Sequence, residues 1–363
     1  AAFFGMATKF SEGCLAVKFR QVDDQGNIAG GPMYYIEMGL GKKWKPLAIA
    51  FALFGIMTAM LGSGTTTQMN AIVSSVNAGF GVSTYITCAI VTILVAIITF
   101  GGLQSISKTA SKIVPAMAVI YFIITVIFLI MNASEVPHAV SQVITGAFNG
   151  TAAAGGFAGA GLMLTIRSGI ARGLYSNESG LGSAPIVAAA AKTKWPAEQG
   201  LISMTGTFID TIIICTLTGL TIIVSGVWTG TTNGAEMTQS AFATTYGSLA
   251  PFILTISLTL FAFTTIIGWN YYGERCWEYL FGTKTIKLYR IGYIAILASA
   301  VFLKLEAIWS LADIVNGLMA IPNLIALLGL SGVITAETKK YFNHLAIRDA
   351  KLKAYKARRI GKK

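Results

Sequence analysis

The sequence predicts an all-α integral membrane protein, and three observations carry that expectation. Of 363 residues, 54% are hydrophobic and only 12% are charged, a balance foreign to ordinary soluble domains. Apolar runs recur with short polar connections, each about the 20 residues a helix needs to cross a bilayer. The runs are too long and too continuous for barrel strands, and in lipid only helices or closed barrels satisfy the backbone.

Taken in order, the spans are expected at 1–17, 46–78, 83–101, 113–132, 155–172, 201–225, 249–271, 287–303 and 306–334. The first starts at Ala1 inside an apolar run and carries Lys9 and Glu12 in its middle, unlike a signal peptide. The chain is therefore expected to be part of a longer protein, with at least one span before residue 1. Lys9 and Glu12, three apart on one helix face, are expected to neutralise each other. Cys14, Cys88, Cys215 and Cys276 are widely spaced in or beside apolar segments and read as small buried hydrophobes.

Connections alternate in charge. Lys18, Arg20, Lys42, Lys43, Lys45, Lys108, Lys112, Lys192, Lys194 and Lys284 lie in one set, whereas 79–82, 133–154 and 226–248 contain no Lys or Arg. The positive-inside rule places the basic set in the cytoplasm and the protein in the cell membrane. From Lys339 the tail holds ten basic residues against one acid, Asp349, and so supplies +9 of the formal +12. Local charge of that kind after a last span points to anionic lipid, not nucleic acid. The expected organisation is a transmembrane domain over 1–338 and a basic cytoplasmic tail over 339–363.

The stretch 155–191 is too broken for one ordinary helix. A Gly155–Gly156 pair and three further glycines precede Arg172. One reading is a span that unwinds part-way, of the kind that marks substrate and ion sites in secondary transporters; the other is glycine used for close helix packing. In the first reading 140–153 is the outer half, Gly155 and Gly156 the break, and 158–172 the inner half. The segment 237–246 is either an outer helix over an entrance or an interfacial loop helix. With one span restored at the front, five spans ending at 132 mirror five starting at 155 with opposite topology, an inverted repeat whose second half runs over about 138–338.

Polar residues inside spans are the candidates for function. Gln68 and Asn70 sit in a polar patch with Ser63 and Thr65, Thr66 and Thr67. Asp210 and Asp313 lie in apolar segments as candidates for gating, coupling or proton transfer, with Arg167 a candidate partner for Asp210. No catalytic residue is expected: His138 and His344 fall in a loop and in the tail, and H-E-x-x-H, P-loop and G-x-S-x-G patterns are lacking, which argues against an enzyme. A passive channel would favour a continuous polar ring over one polar cluster beside a broken helix.

Several stretches together resemble the alanine or glycine:cation symporter family: MATKFSE at 6–12, GGPMYYIEMGLGKKWK at 30–45, GGFAG at 155–159, IRSGIARGLYSNESGLGSAPI at 166–186, GTFIDT at 206–211, TTIIGWNYYGE at 264–274 and NGLMAIPNLIALL at 316–328. The resemblance covers essentially the whole chain. It implies a LeuT-like five-plus-five inverted repeat with discontinuous helices, here lacking the first, and inward symport of a small neutral amino acid, alanine or glycine, with Na⁺ or sometimes H⁺. No cofactor is implied beyond the coupling ion. By the same resemblance Thr264 and Thr265, with the Phe261 carbonyl a turn earlier, are Na⁺ ligands. Gln68 and Asn70, the Gly155–Gly156 break, Phe157 and Trp269 form the amino-acid pocket. The chain departs from the family's pattern in lacking its Gly-Thr-Gly-Asn stretch, and in reading Gly64-Thr65-Thr66-Thr67-Gln68-Met69-Asn70 where many members read Gly-Asn-x-x-Gln-x-Asn.

Overall fold

The computed structural model describes residues 2–24, 26–148, 158–230, 234–303 and 305–360. Helix follows helix: α1 (Ala2–Lys18), α2 (Pro32–Tyr35), α3 (Lys45–Leu61), α4 (Thr66–Phe80), α5 (Thr84–Phe100), α6 (Gly102–Met131), α7 (Val136–Phe148) and α8 (Ala158–Asn177). The second half continues with α9 (Ala184–Ala188), α10 (Pro196–Thr207), a π-helical turn at Phe208–Cys215, α11 (Thr216–Val224), α12 (Gly234–Tyr246), α13 (Ala250–Phe281), α14 (Ile286–Ser299), α15 (Leu305–Gly329) and α16 (Ser331–Ile360). The two-residue strands Gln21–Val22 and Ile28–Ala29 form one small hairpin, closed by the Asp23 carboxylate accepting from the Asn27 amide at 2.8 Å.

Among the described residues six helical stretches are long and apolar enough to cross a membrane: Lys42–Phe80, Gln104–Met131, Pro196–Val224, Glu236–Phe281, Thr283–Phe302 and Trp309–Gly329. The protein is thus an all-α, multi-pass membrane protein. Its outward faces say the same, since Ile86, Ile90, Ile93 and Ile97 of α5 and Ile123, Ile127 and Ile130 of α6 are exposed; apolar rows of that length are unusual on a soluble monomer. Local signals set the ends. Proline stands in the first turn of α3, α9, α10 and α13, where its missing N–H costs nothing, and Gly81 closes α4 in the left-handed conformation.

Several expected spans are redrawn: that over 113–132 starts at Gly102, and that over 249–271 runs on to Phe281. The span expected over 46–78 is two helices, α3 and α4, separated at residues 62–65. The helix expected to end at Arg172 continues to Asn177, and the chain unwinds after it, over 178–183. The last span, expected over 306–334, ends at Gly329, and α16 runs on as one helix through the basic stretch. That helix is docked, because Lys18 of α1 pairs with Glu337 at 2.5 Å and His344 stacks on Trp195 at 4.5 Å.

The core lies where α3, α4, α13, α14 and α15 meet, around Phe51, Met69, Ile266, Trp269, Tyr289 and Tyr293. α1 packs along α10. The segment expected as an outer or interfacial helix at 237–246 is α12, whose Phe242 is buried against Tyr121 and Phe128 of α6.

Candidate functional site

The site is built on two interruptions. At 62–65 the α3 helix lets go of its last carbonyls, and the three threonines that follow collect them. Thr65 donates to the Ala59 carbonyl, Thr66 to Leu61 at 3.1 Å and Thr67 to Ser63 at 3.1 Å. Gln68 Nε2 also donates to the Ser63 carbonyl at 3.0 Å, and the Ser63 hydroxyl donates to Asn316 of α15 at 3.1 Å. Side-chain hydroxyls here replace the helical ladder, which is how an irregular backbone survives inside a span. Gly64 is required by proximity: a Cβ there would stand 2.5 Å from the Cβ of Trp269.

The second interruption is forced by its backbone. Glu178, Gly180 and Gly182 all have positive φ (57°, 87° and 83°), which two glycines adopt at little cost and the glutamate does not. The turn is held from outside. One carboxylate oxygen of Glu12, which is 0% exposed, accepts from the Gly180 and Gly182 amides, both at 3.1 Å, and from Asn323 Nδ2 at 2.6 Å. Asn323 donates as well to the Gly180 carbonyl at 3.0 Å and accepts from the Tyr35 hydroxyl. Lys9 Nζ donates to the Asn177 carbonyl at 2.7 Å. Lys9 lies close enough for its charge to act on Glu12, as their spacing leads one to expect, and each also grips a different side of this turn.

The two interruptions face each other. The Thr67 and Tyr175 hydroxyls share a hydrogen bond of 3.1 Å, and Trp269, 3% exposed, packs on Gly64 and lies beside the Glu178 carboxylate. Gln68 and Trp269, expected in one pocket, thus meet around the same junction. Asn70 is about 200° further round α4 than Gln68 and does not share that face. Gly155, Gly156 and Phe157 lie outside the described residues.

Beside the junction is a cavity of about 510 Å³ with Arg167, Arg172, Tyr175, Asp313 and Asn316 in its wall. Arg172 pairs with Asp313 at 2.6 Å, both about half exposed, and its guanidinium lies over the Trp309 ring at 5.5 Å. A second cavity, about 320 Å³, is lined by Tyr121, Ser176, Asp210, Cys215 and Phe261. There Asp210 accepts from Ser176 at 2.8 and 2.9 Å and from Thr211 at 2.8 Å. Arg167 and Asp210 are not brought together. Nine residues separate Arg167 from Ser176, about half a turn beyond whole turns, so the two point to opposite sides of α8. Cys215 is exposed, unlike Cys14, Cys88 and Cys276, and all four thiols are free.

Thr264 and Thr265 both bond back onto their own helix. The Phe261 carbonyl accepts from Thr264 and from Thr265, each at 2.9 Å, and Thr264 also reaches the Leu260 carbonyl at 3.0 Å. A hydroxyl that has donated its proton keeps lone pairs for a cation.

Sequence reading missed the Glu12, Asn323 and Lys9 clamp and the bridges from Ser63 to Asn316 and from Thr67 to Tyr175. Part of the signal was present: Asn323, an amide in the apolar run of α15, had no assigned partner, and polar groups at such depth seek one, whereas Glu12 had been assigned wholly to Lys9.

A profile of the sodium:alanine symporter family matches residues 1–355. An uncharacterized transporter of Haemophilus influenzae is 52% identical over 348 residues, covering 95% of this chain and 76% of that protein. The sodium/alanine symporter AgcS of Methanococcus maripaludis is 46% identical over 359 residues, covering 96% and 77%. The probable sodium/glutamine symporter GlnT of Bacillus subtilis is 36% identical over 345 residues, covering 94% and 70%.

Proposed function

The chain belongs to the sodium:alanine symporter family, and from that premise we propose that it carries alanine or glycine into the cell with Na⁺ by alternating access. Families of this kind are transporters and not enzymes. The observation that carries the reading is the junction of two interrupted helices around Gln68 and Trp269, because discontinuous helices at that depth mark substrate and ion sites in secondary transporters. A LeuT-like five-plus-five inverted repeat, with its second half over about 138–338, is part of the same proposal. So are a cell-membrane location and a cytoplasmic tail from Lys339 held to anionic lipid.

The amides of Gly180 and Gly182 are already taken by Glu12, so the substrate carboxylate belongs elsewhere. Gly155 and Gly156 keep that role in the proposal, with Gln68 on the polar part of the zwitterion and Phe157 with Trp269 limiting side-chain size. Phe261, Thr264 and Thr265 are proposed as Na⁺ ligands, since they offer neutral oxygens that bind a monovalent cation without taking a proton. Asp210, facing its own cavity through Ser176, is the feature that favours H⁺ coupling as the second reading. Arg167, Arg172 and Asp313 are proposed for gating. The deciding experiment is uptake of labelled alanine by full-length protein in liposomes under an imposed Na⁺ gradient or an imposed pH gradient. Uptake driven only by Na⁺ supports the proposal, uptake driven only by pH transfers the role to Asp210, and flux that merely follows the alanine gradient makes the protein a channel.

A further inference from the structure

Away from the junction, where the hairpin turn, the corner between α5 and α6, the end of α13 and the start of α14 meet, is a third cavity of about 420 Å³. Arg275, Lys284, Lys287 and Arg290 stand in its wall against a single carboxylate, Glu274. That carboxylate is spent: Arg290 binds it twice, at 2.7 and 2.9 Å, and Arg275 once at 3.2 Å. Arg275, 4% exposed, also holds Asp23 at 3.3 Å and Glu278 at 2.6 Å, yet its Nε has no hydrogen-bond partner among the described residues. Lys284 and Lys287 make no ion pair within the described chain.

Geometry turns these charges one way. Lys284, Lys287 and Arg290 are spaced by three and share one side of the α14 entry. The first amides of α14 receive no side-chain cap, so the positive end of that helix adds to the lysines. Around the same entry Phe281, Leu288 and Ile291 are 53%, 63% and 59% exposed. A cationic recess edged by exposed apolar side chains, at the end of two spans on the basic side of the protein, matches a molecule with an anionic head and apolar chains.

We propose that this cavity seats the phosphate diester of an anionic phospholipid, with Lys284 and Lys287 on the phosphate oxygens and the acyl chains along Phe281, Leu288 and Ile291. A free phosphate would use the lysines and ignore the apolar edge. The site is separate from the basic tail and from the substrate junction, so it stands or falls independently of symport.

Short-chain phosphatidylglycerol is titrated onto full-length protein in a neutral detergent, with short-chain phosphatidylcholine and inorganic phosphate as parallel ligands, and Kd is read from native mass spectra. One lysine near an anionic surface changes affinity roughly fivefold, so Lys284→Gln with Lys287→Gln should weaken phosphatidylglycerol about 25-fold. Both lysines are exposed, and neither substitution removes an ion pair of the fold. Lys351→Gln with Lys353→Gln in the tail should leave the tightest phosphatidylglycerol site unchanged. The proposal is overturned if the Lys284 and Lys287 variant binds phosphatidylglycerol as the unaltered protein does, if phosphatidylcholine or inorganic phosphate binds as tightly, or if the tail variant abolishes the site.

Discussion

Glu12 is the side chain on which the 178–183 turn depends, and two substitutions separate its possible contributions. Glu12→Ala strands three buried donors: the Gly180 and Gly182 amides and one hydrogen of Asn323 Nδ2. Each buried donor left without a partner costs about 1–3 kcal/mol, so the expected loss is roughly 3–9 kcal/mol, with the low end reached if water enters the space. Glu12→Gln keeps an oxygen at the accepting position and places its NH₂ where the other carboxylate oxygen has no partner. It loses the charge-assisted strength of three bonds but also removes a fully buried carboxylate, two effects of opposite sign and each about 2–3 kcal/mol. The alanine variant should therefore be severe and the glutamine variant mild. In fluorescence-detected size-exclusion melts at a fixed heating rate, at roughly 2 °C per kcal/mol, alanine should lower the midpoint by at least about 6 °C and glutamine by less than about 4 °C. An alanine variant melting within about 2 °C of the unaltered protein would refute the argument, as would a glutamine variant as unstable as the alanine one.

Trp269→Ala removes the ring that packs on Gly64 and should let larger neutral amino acids compete for alanine uptake, while Gln68→Ala should raise KM for every substrate; competition by glutamine, leucine and lysine tests both, and leucine or lysine competing as well as alanine before any change sinks the size argument. Thr265→Ala deletes one of two hydroxyls at the Phe261 carbonyl and should shift the Na⁺ concentration for half-maximal uptake upward about tenfold, the worth of roughly one charge-assisted contact, with little change in melting; an unchanged Na⁺ dependence removes Thr265 from the site. Glu37, in the connection before α3, accepts from the Tyr279 hydroxyl at 2.5 Å and pairs with Lys45 at 3.3 Å. The Tyr279 hydrogen bond is the larger cause that holds its carboxyl below the usual range, with Lys45 adding to it. A carboxyl depressed in the folded state contributes stability that is present above its unfolded pKa, about 4.3, and is lost as pH falls through the folded value. Glu37→Gln should accordingly flatten the acid side of the melting curve below about pH 4.3 and leave pH 7–9 unshaped; an identical acid slope in the variant contradicts this.

Much of the fold was legible because membrane helices announce themselves by length and apolarity, while the interruptions depend on contacts that composition does not show. The interruption at 62–65 hid behind composition: Ser63 and Thr65–Thr67 read equally as a polar patch on a continuous helix, and only the contacts show the hydroxyls replacing backbone bonds. The interruption at 178–183 is not legible locally, because the amides and carbonyls of its turn are held by side chains far away in sequence. Those partners explain the limit. Lys9, Glu12 and Asn323 come from α1 and α15, 143 to 170 residues from the groups of the turn that they hold, separations that no local pattern encodes. The assignment of Thr264 and Thr265 rests on resemblance, since a threonine bonded to its own helix looks the same with or without a cation.

α15 reaches both interruptions: Asn323 at 178–183 and Asn316 at 62–65, seven residues or about two turns apart on one side of the helix. Each contact is a hydrogen bond to an irregular segment, and each segment has lost its own helical ladder. A displacement of α15 along its axis by even one turn would pull Asn323 from Glu12 and Asn316 from Ser63 together, leaving buried donors unsatisfied at two places. Small displacements are thus resisted at both breaks at once, while a rigid movement that carries α15, α1, the end of α8 and the 178–183 turn as one body keeps the Glu12 clamp and breaks the Ser63–Asn316, Tyr35–Asn323 and Thr67–Tyr175 bonds. The hydrogen-bond pattern makes the junction between α15 and the α3–α4 break the cheaper seam. It is also the seam where the 510 Å³ cavity opens, between Asn316 and Tyr175, so the contacts that hold the fold and the space for a small solute are arranged about the same line.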